Sequence, residues 1–469
     1  MTSLPAKNAP GSRAPGRLDT FVAPRPSPGL IRAMAPVNRV LCLGGVPLLR
    51  DIPGLSAVPG ISGLSNVVEI DFPREDELRL RSAVNPHTAA FIAPNHPEFF
   101  TDWMLDKEVL SRVAPLAGCW ATNFIVNGLG PAMQTFWLKN NLIAQIPGAG
   151  DAAKAHSIAW ALTGEGVLLH PEGNVGWHGD YVATLFPGVA DMAIEAARRA
   201  LAKVPARAVH IAPIVWKLQF IGDVDGGLGR EMAYVERKLD LGAPSKAATP
   251  MARAARAYDL LLARDEAAAG IAPTPGAAYG QRQAKLLETL AAALTAWLVA
   301  QSQPMPDAAS ASPDPAETWS GLLRQAERAL RRLATDQGEG LRMTGIVKDM
   351  RRILRFRPML YGQDELTLEH AAESIKRLRY DYCAGTFRDT LNRFVPRPAG
   401  QRVARIRVPE PVDVTAALAE HGGDAEACSA HLVRLVRARM QAALDAINRA
   451  YPDAGVGRRY ANPWLQRRP

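Results

Sequence analysis

The chain has no apolar run long enough to cross a bilayer, which takes about 20 residues. The most apolar early stretch, Val40 to Leu49, is closed by Arg50 and Asp51. The first 30 residues are rich in Pro, Ala, Arg and Ser and lack the apolar centre of a secretory signal, so they read as a disordered tail. Cysteine is scarce. Cys42, Cys119, Cys383 and Cys428 show no C-x-x-C spacing, which argues against a disulfide framework or a structural zinc site and fits a reducing, cytoplasmic setting. Neither H-x-H nor H-E-x-x-H occurs. There is also no zinc-finger spacing, RNP-like aromatic strand or basic region leading into heptads, so nucleic acid is not an expected partner. No fixed-period repeat points to a solenoid.

The composition is that of a globular protein: 469 residues, 48% of them hydrophobic, are enough for one large domain or two to three smaller ones. The excess of 55 Lys and Arg over 46 Asp and Glu, a net +9, fits an anionic partner without by itself choosing among nucleic acid, a membrane surface, coenzyme A and acyl carrier protein.

From residue 64 to 218, short apolar runs alternate with helical patterns, the signature of an α/β fold. The expected strands are Val67 to Phe72, Ala89 to Pro94, Leu142 to Ile146, Gly166 to His170 and Val209 to Trp216. The expected helices between them are Pro97 to Val113, Gly130 to Lys139, Ala152 to Thr163 and Val189 to Lys203. Beyond residue 222 the chain turns to Ala-, Leu- and Arg-rich helical segments near 249–268, 279–302, 316–335, 338–356 and 364–393. The sequence VARIRVPEPVDV, 403–414, returns to strand-type residues, and a helix follows at 425–449. The expected architecture is thus a mixed β-sheet flanked by helices with a large helical insertion. Its parts are a tail at 1–30, an α/β core at 31–221, the insertion at 222–398, and a late strand and C-terminal helix at 399–469.

Two segments carry chemistry. In FIAPNHPEFFTDWMLDKEVL, 91–110, a buried strand exits into a helix opened by Pro97 and Glu98, which puts His96 at the carboxyl end of a strand. Asp102, just over one turn into that helix, leans back toward the imidazole. A His–Asp pair suits acyl transfer: His96 takes the proton of an attacking hydroxyl while Asp102 fixes the tautomer. Capping of the helix by Asn95 and His96 would leave the same local pattern. In GVLLHPEGNVGWHGDYVATLFPGVADMAIEAA, 166–197, a strand ends at His170 and a turn at Pro171, Glu172 and Gly173 follows. Phe186, Pro187 and Gly188 then lead into a helix whose exposed amides suit an anion.

The ordered series NHPEFFTD, NGLG with LIAQIPG, HPEGN, LFPGVADMA and VHIAPIVW resembles the blocks of the glycerolipid (1-acylglycerol-3-phosphate and glycerol-3-phosphate) acyltransferase family, over residues 64–218. The resemblance implies that His96 and Asp102 are the catalytic dyad, that Asn95, Glu172, Gly173 and Asn174 border the substrate, and that Pro213 marks the last block. VARIRVPEPVDV resembles the family's late strand, with Glu410, Pro411 and Val412 as counterparts. The implied donor is acyl-CoA or acyl carrier protein, with a lipid-precursor acceptor and no further cofactor or metal. The implied location is the cytoplasm, peripheral at the inner face of a membrane.

Three departures from the family pattern stand out. Five residues, not four, separate His96 from Asp102; Glu98 is an alternative orienter. Gln145 lies where the middle block usually has Arg, and Asn174 and Val175 replace Thr and Arg of Glu-Gly-Thr-Arg. Without those guanidinium forks a phosphate-bearing acceptor lacks its usual partners, unless Lys139, Lys154, Lys217 or an arginine of the insertion replaces them. Other readings stay open. His96, His170, His178 and His210 would be the ligands of a metal-dependent hydrolase, and the basic helices at 348–363 and 375–382 would make an inactive lipid- or carrier-binding member. Arg351, Arg352, Arg355 and Arg357 beside Ile353, Leu354 and Phe356 form the expected membrane contact. Cys119 is expected as a small core residue rather than a nucleophile.

Overall fold

A computed structural model describes residues 20–465 apart from 53, 56–60, 147–149, 203–206, 244–247, 273, 302–314, 333–337, 358–360, 396 and 452–458. The protein is α/β and 57% helical, with a mostly parallel mixed sheet flanked by helices. Its strands are β1 Val67–Asp71, β2 Thr88–Pro94, β3 Gly118–Thr122, β4 Leu142–Gln145, β5 Val167–Leu168, β6 Ala208–Phe220, β7 Glu365–Thr367, β8 Arg402–Arg407, β9 Val412–Asp413 and β10 Arg459–Ala461. The main sheet has the order β1-β8-β6-β2-β5-β3-β4, with β9 also on β6. Strands β7 and β10 form a separate antiparallel pair.

Strand β2 shows why this sequence makes a central strand. Its residues Ala89 to Ala93 are almost wholly buried, as expected for a parallel strand covered on both faces. Successive side chains alternate between the faces. Ala89, Phe91 and Ala93 join the core beneath helices Gly188–Leu201 and Ala425–Ala450, while Ala90 and Ile92 join the core beneath Arg74–Ala83 and Thr101–Val113. The long β6 pairs with β9 at His210 and Ile211 and serves two further neighbours. It pairs in parallel with β2 from Ala208 to Ile214, then antiparallel with β8 from Val215 to Phe220.

Between β6 and β8 lie the helices Asp225–Lys238, Pro250–Ala268, Tyr279–Ala300, Pro315–Arg332, Glu339–Arg355, Leu368–Tyr382 and Phe387–Phe394. One of their cores includes Phe220 from the sheet and Tyr460 from β10, so the insertion is packed onto the rest of the chain.

Several expectations are corrected. Strand β3 and the helices Arg74–Ala83 and Asp225–Lys238 were not anticipated; β3, GCWAT, is too short and too low in branched residues to signal a strand. The segment expected as one helix over 364–393 contains β7 and two helices, because Gly385 turns the chain at φ 96° and Thr386 caps a new helix start. The expected tail is folded from residue 20 onward. Arg25 N donates to Leu138 O (3.2 Å), Ser27 N donates to Lys139 O (2.9 Å), and the helix Pro28–Val37 follows; residues 1–19 lie outside the described ones.

The expected membrane segment is turned inward. Ile353, Leu354 and Phe356 are buried, and Arg351, Arg352 and Arg355 pair with Glu327, Asp265 and Asp381 at 2.6, 2.8 and 2.6 Å. No helix among the described residues is long and apolar enough to cross a membrane.

Candidate active site

Strand β2 delivers His96 through Asn95. The Asn95 backbone N–H donates to Ile214 O (3.1 Å). Its side-chain amide accepts from Trp216 N and donates to Trp216 O, both at 3.0 Å. The side chain thereby imitates one more backbone pair along β6. Both amide atoms are used and the residue is buried, so Asn95, expected to meet substrate, instead fixes the strand exit.

The helix after His96 begins at Thr101 rather than at Pro97. Pro97–Phe100 form a turn closed by Phe100 in the left-handed region, φ 64°. This turn absorbs the extra residue between His96 and Asp102. Asp102 is the second residue of the helix, and its Oδ2 lies 2.6 Å from His96 Nδ1. The carboxylate also accepts the Glu98 N–H at 3.0 and 3.1 Å. With Nδ1–H donated to Asp102, the lone pair of His96 sits on Nε2. Burial holds the His96 imidazole well below its ordinary pKa, aided by His170, and therefore neutral at pH 7. Burial pushes the Asp102 carboxyl up, helped by Glu98 and Asp106 and opposed by the Glu98 N–H.

Glu172 ties this turn to the second segment. One oxygen accepts His96 N (2.7 Å) and the other accepts Ala183 N (2.9 Å). It is buried with both oxygens engaged, so it organises the backbone on either side. Gly173 has φ 70°, and a Cβ there would stand 2.7 Å from two carbons of the Phe186 ring. Only glycine fits the turn without a shift. Asn174, the other expected substrate neighbour, is exposed in the same loop. Glu98, the alternative orienter, faces away from the imidazole: Lys376 and Arg402 hold its carboxylate at 2.6 and 2.5 Å. Lys376 comes from the insertion, so this segment closes one side of the site. A small cavity of about 50 Å³ beside Pro97 and Glu98 is lined by Trp177, Trp216, Glu373 and Lys376.

A second His–carboxylate pair escaped the sequence reading. His170 stacks on His96 with centroids 4.1 Å apart, its Nε2 lies 3.0 Å from Asp106 Oδ2, and its Nδ1 lies 3.1 Å from Asn95 O. Both neighbours are acceptors, an arrangement that favours the protonated ring. Burial opposes that charge, but Asp106 and the Asn95 carbonyl outweigh it and raise the His170 pKa. The available signal was Asp106 one helical turn after Asp102, on the same face.

The remaining expected cations are elsewhere. Lys217 is buried against Asp180 and Asn448, and Lys139 and Lys154 are exposed. A cleft of about 690 Å³ lined by Asp180, Lys217, Asp364, His370 and Arg459 excludes His96 and Asp102. Its central charges neutralise one another, His370 Nε2 lying 2.8 Å from Asp180. Cys119 is buried with its thiol pKa raised by burial, as suits a core residue.

One ligand-type atom from each of His96, Asp102 and His170 falls within 4.8 Å of the others. In this arrangement His96 Nδ1 faces Asp102 and both nitrogens of His170 face acceptors. The four histidines of the hydrolase reading are not gathered together: His178 lies by Arg377, and His210 lies within β6 opposite Asp413. Comparison of the chain with protein-family models and with curated proteins returns no match.

Proposed function

We propose that the protein is an acyltransferase of the glycerolipid type, moving a fatty acyl group from acyl-CoA or acyl carrier protein to a hydroxyl or amine of a lipid precursor. The observation that carries this reading is the 2.6 Å His96–Asp102 contact at the carboxyl ends of parallel strands, with Nε2 left as the basic atom. The motif blocks support it by their placement: NHPEFFTD follows β2, HPEGN follows β5, and VHIAPIVW lies in β6 beside β2.

In the proposed reaction the acceptor O–H or N–H gives its proton to His96 Nε2 as the heteroatom bonds to the thioester carbon. The C–S bond then breaks, and the imidazolium returns the proton to the departing thiolate, so no other reactant is consumed. Asp102 fixes the tautomer and stabilises the imidazolium. Burial, aided by the neighbouring His170, keeps His96 neutral between turnovers and so available as a base. Gln145 and Val175 in place of the family's two arginines favour an acceptor without a phosphate. The proposed location is the cytoplasmic face of a membrane, with peripheral attachment.

The test is transfer of a radiolabelled acyl group from acyl-CoA or acyl carrier protein by the purified full chain, with acceptors drawn from a cell lipid extract. A labelled lipid is expected with the wild type and not with His96→Ala. Labelling that is equal in both would overturn the proposal.

A further inference from the structure

We infer that the helix Phe387–Phe394 and the segment around Phe124 form one apolar and basic face that docks on an anionic bilayer beside the active site. Phe387, Leu391 and Phe394 fall at i, i+4 and i+7, one stripe of the helix. Phe387 is 82% exposed and Leu391 51%. Phe394 stacks on Phe124, itself 55% exposed, with centroids 6.1 Å apart, which joins the stripe to the chain before the exposed Leu129. Two stretches remote in sequence thus meet in one exposed apolar surface, a pattern expected of an interaction site.

The face adjoins the catalytic turn. Phe394 meets the ring of Phe99 at 6.0 Å, and Phe99 lies between His96 and Asp102. A lipid drawn from a bilayer touching this face would therefore arrive next to the dyad.

Charge chooses the occupant. Between Glu108 and Asp151 the sequence contains no acid, and between Asp381 and Glu410 Asp389 is the sole acid. Asp389 is buried, bonded by Tyr234 and Thr386, with Lys238 at 3.5 Å. The exposed charges on the helix are Arg388 and Arg393, set over Tyr234 and Tyr380 at 4.2 and 5.6 Å. Protruding Phe and Leu side chains flanked by arginine, with the helix's carboxylate turned inward, match the boundary between acyl chains and anionic headgroups.

This inference rests on the acyltransferase reading for the lipid it would deliver. The binding measurement requires no catalysis, so the two can fail separately. The experiment is co-sedimentation of the full chain with vesicles of phosphatidylglycerol and phosphatidylcholine, and with phosphatidylcholine alone. Wild type is expected to bind the anionic vesicles, less so in high salt. Phe387→Ser with Leu391→Ser should weaken binding about tenfold or more, and Arg388→Gln and Arg393→Gln about fivefold each. Leu341→Ser, at an equally exposed site outside the face, should leave it unchanged. Thermal unfolding checks that each variant is folded, and Phe387→Trp should show a blue-shifted emission increment on adding vesicles. Wild-type binding by the Phe387/Leu391 variant, or no emission change in Phe387→Trp, would overturn the inference. So would loss in that variant of self-association or of acyl carrier protein binding in place of vesicle binding.

Discussion

Replacing Asp102 by Asn tests the proposed chemistry through hydrogen-bond directions alone. The Asp102 carboxylate accepts from His96 Nδ1–H at 2.6 Å and from Glu98 N–H at 3.0 Å. An amide has one acceptor oxygen, and at the Oδ1 position that oxygen reaches Glu98 N–H alone and leaves an NH₂ facing Nδ1. In that orientation the amide donates to Nδ1. The imidazole proton then moves to Nε2, and the base that should receive the acceptor's proton is lost. General-base loss lowers the rate by about 10²–10⁴-fold, or about 3–5.5 kcal/mol of barrier. If the oxygen instead takes the Oδ2 position it keeps Nδ1–H and accepts Glu98 N–H at 3.1 Å as well, and the rate survives.

The first outcome is expected. The folded pKa of Asp102 is raised by burial, so the folded state binds its proton more readily than the unfolded chain does, and the charged carboxylate opposes folding at neutral pH. A neutral amide removes that opposition, leaving a variant at least as stable as wild type and nearly inactive. The assay is single-turnover thiol release from acyl-CoA with saturating acceptor, beside thermal unfolding. Because the two residues act as a unit, His96→Ala with Asp102→Asn should be no slower than His96→Ala alone. Turnover within about threefold of wild type in both folded Asp102→Asn and folded His96→Ala proteins, far short of general-base loss, would refute the dyad.

His178 is buried and held neutral, its pKa pushed well below the ordinary value by burial and by Arg377. Below about pH 6.5 the unfolded chain takes up a proton that the folded chain refuses, so stability falls with pH; His178→Phe should flatten the fall in melting temperature between about pH 7 and pH 5. Gly173→Ala forces both φ 70° and the Phe186 ring, and should cost about 1–2 kcal/mol in urea unfolding while shifting the turn that carries Glu172. In steady-state assays with one acyl-CoA, neutral or amine acceptors should exceed lysophosphatidic acid and glycerol 3-phosphate in kcat/KM, because an acceptor phosphate would be buried without paired charge. A strong preference for lysophosphatidic acid would show that other side chains supply the phosphate site.

What the sequence revealed was local. The apolar run before His96, the acid six residues later, and the Gly after Glu172 each leave a mark within a few positions, although Asp102 is the second residue of its helix rather than a turn into it. The turn that lets five intervening residues work was hidden, because Phe100 gives no sign of a positive φ. Tertiary context decided it. His170 and Asp106 were visible singly but not as a pair, since the helix and the β5 exit meet only through the sheet order. The role of Asn95 was misread because it depends on Trp216, a partner on another strand. The same holds for Glu98, whose partners Lys376 and Arg402 lie far along the chain.

The path of the insertion explains how those distant cations arrive. Strand β6 ends at Phe220 and β8 begins at Arg402, and these two residues are register partners on adjacent strands. The long excursion therefore leaves and re-enters the sheet at one point, leaving the ladder on either side undisturbed. That return point carries Arg402 itself, which reaches Glu98 and Ser65 O from the start of β8. The helix Leu368–Tyr382 reaches the site nearby, with Lys376 on Glu98 and Glu373 accepting Gly179 N at 2.7 Å. Burial works against the Glu98 charge, yet Arg402 and Lys376 lower its pKa, so the carboxylate stays ionised. Asp102 accepts the Glu98 N–H, so the insertion steadies the dyad through backbone it shares with Glu98. At this position the insertion secures the turn that carries His96 and Asp102. It also carries the Phe387–Phe394 helix to the turn that follows His96, where Phe394 meets Phe99, so the inferred lipid surface adjoins that turn.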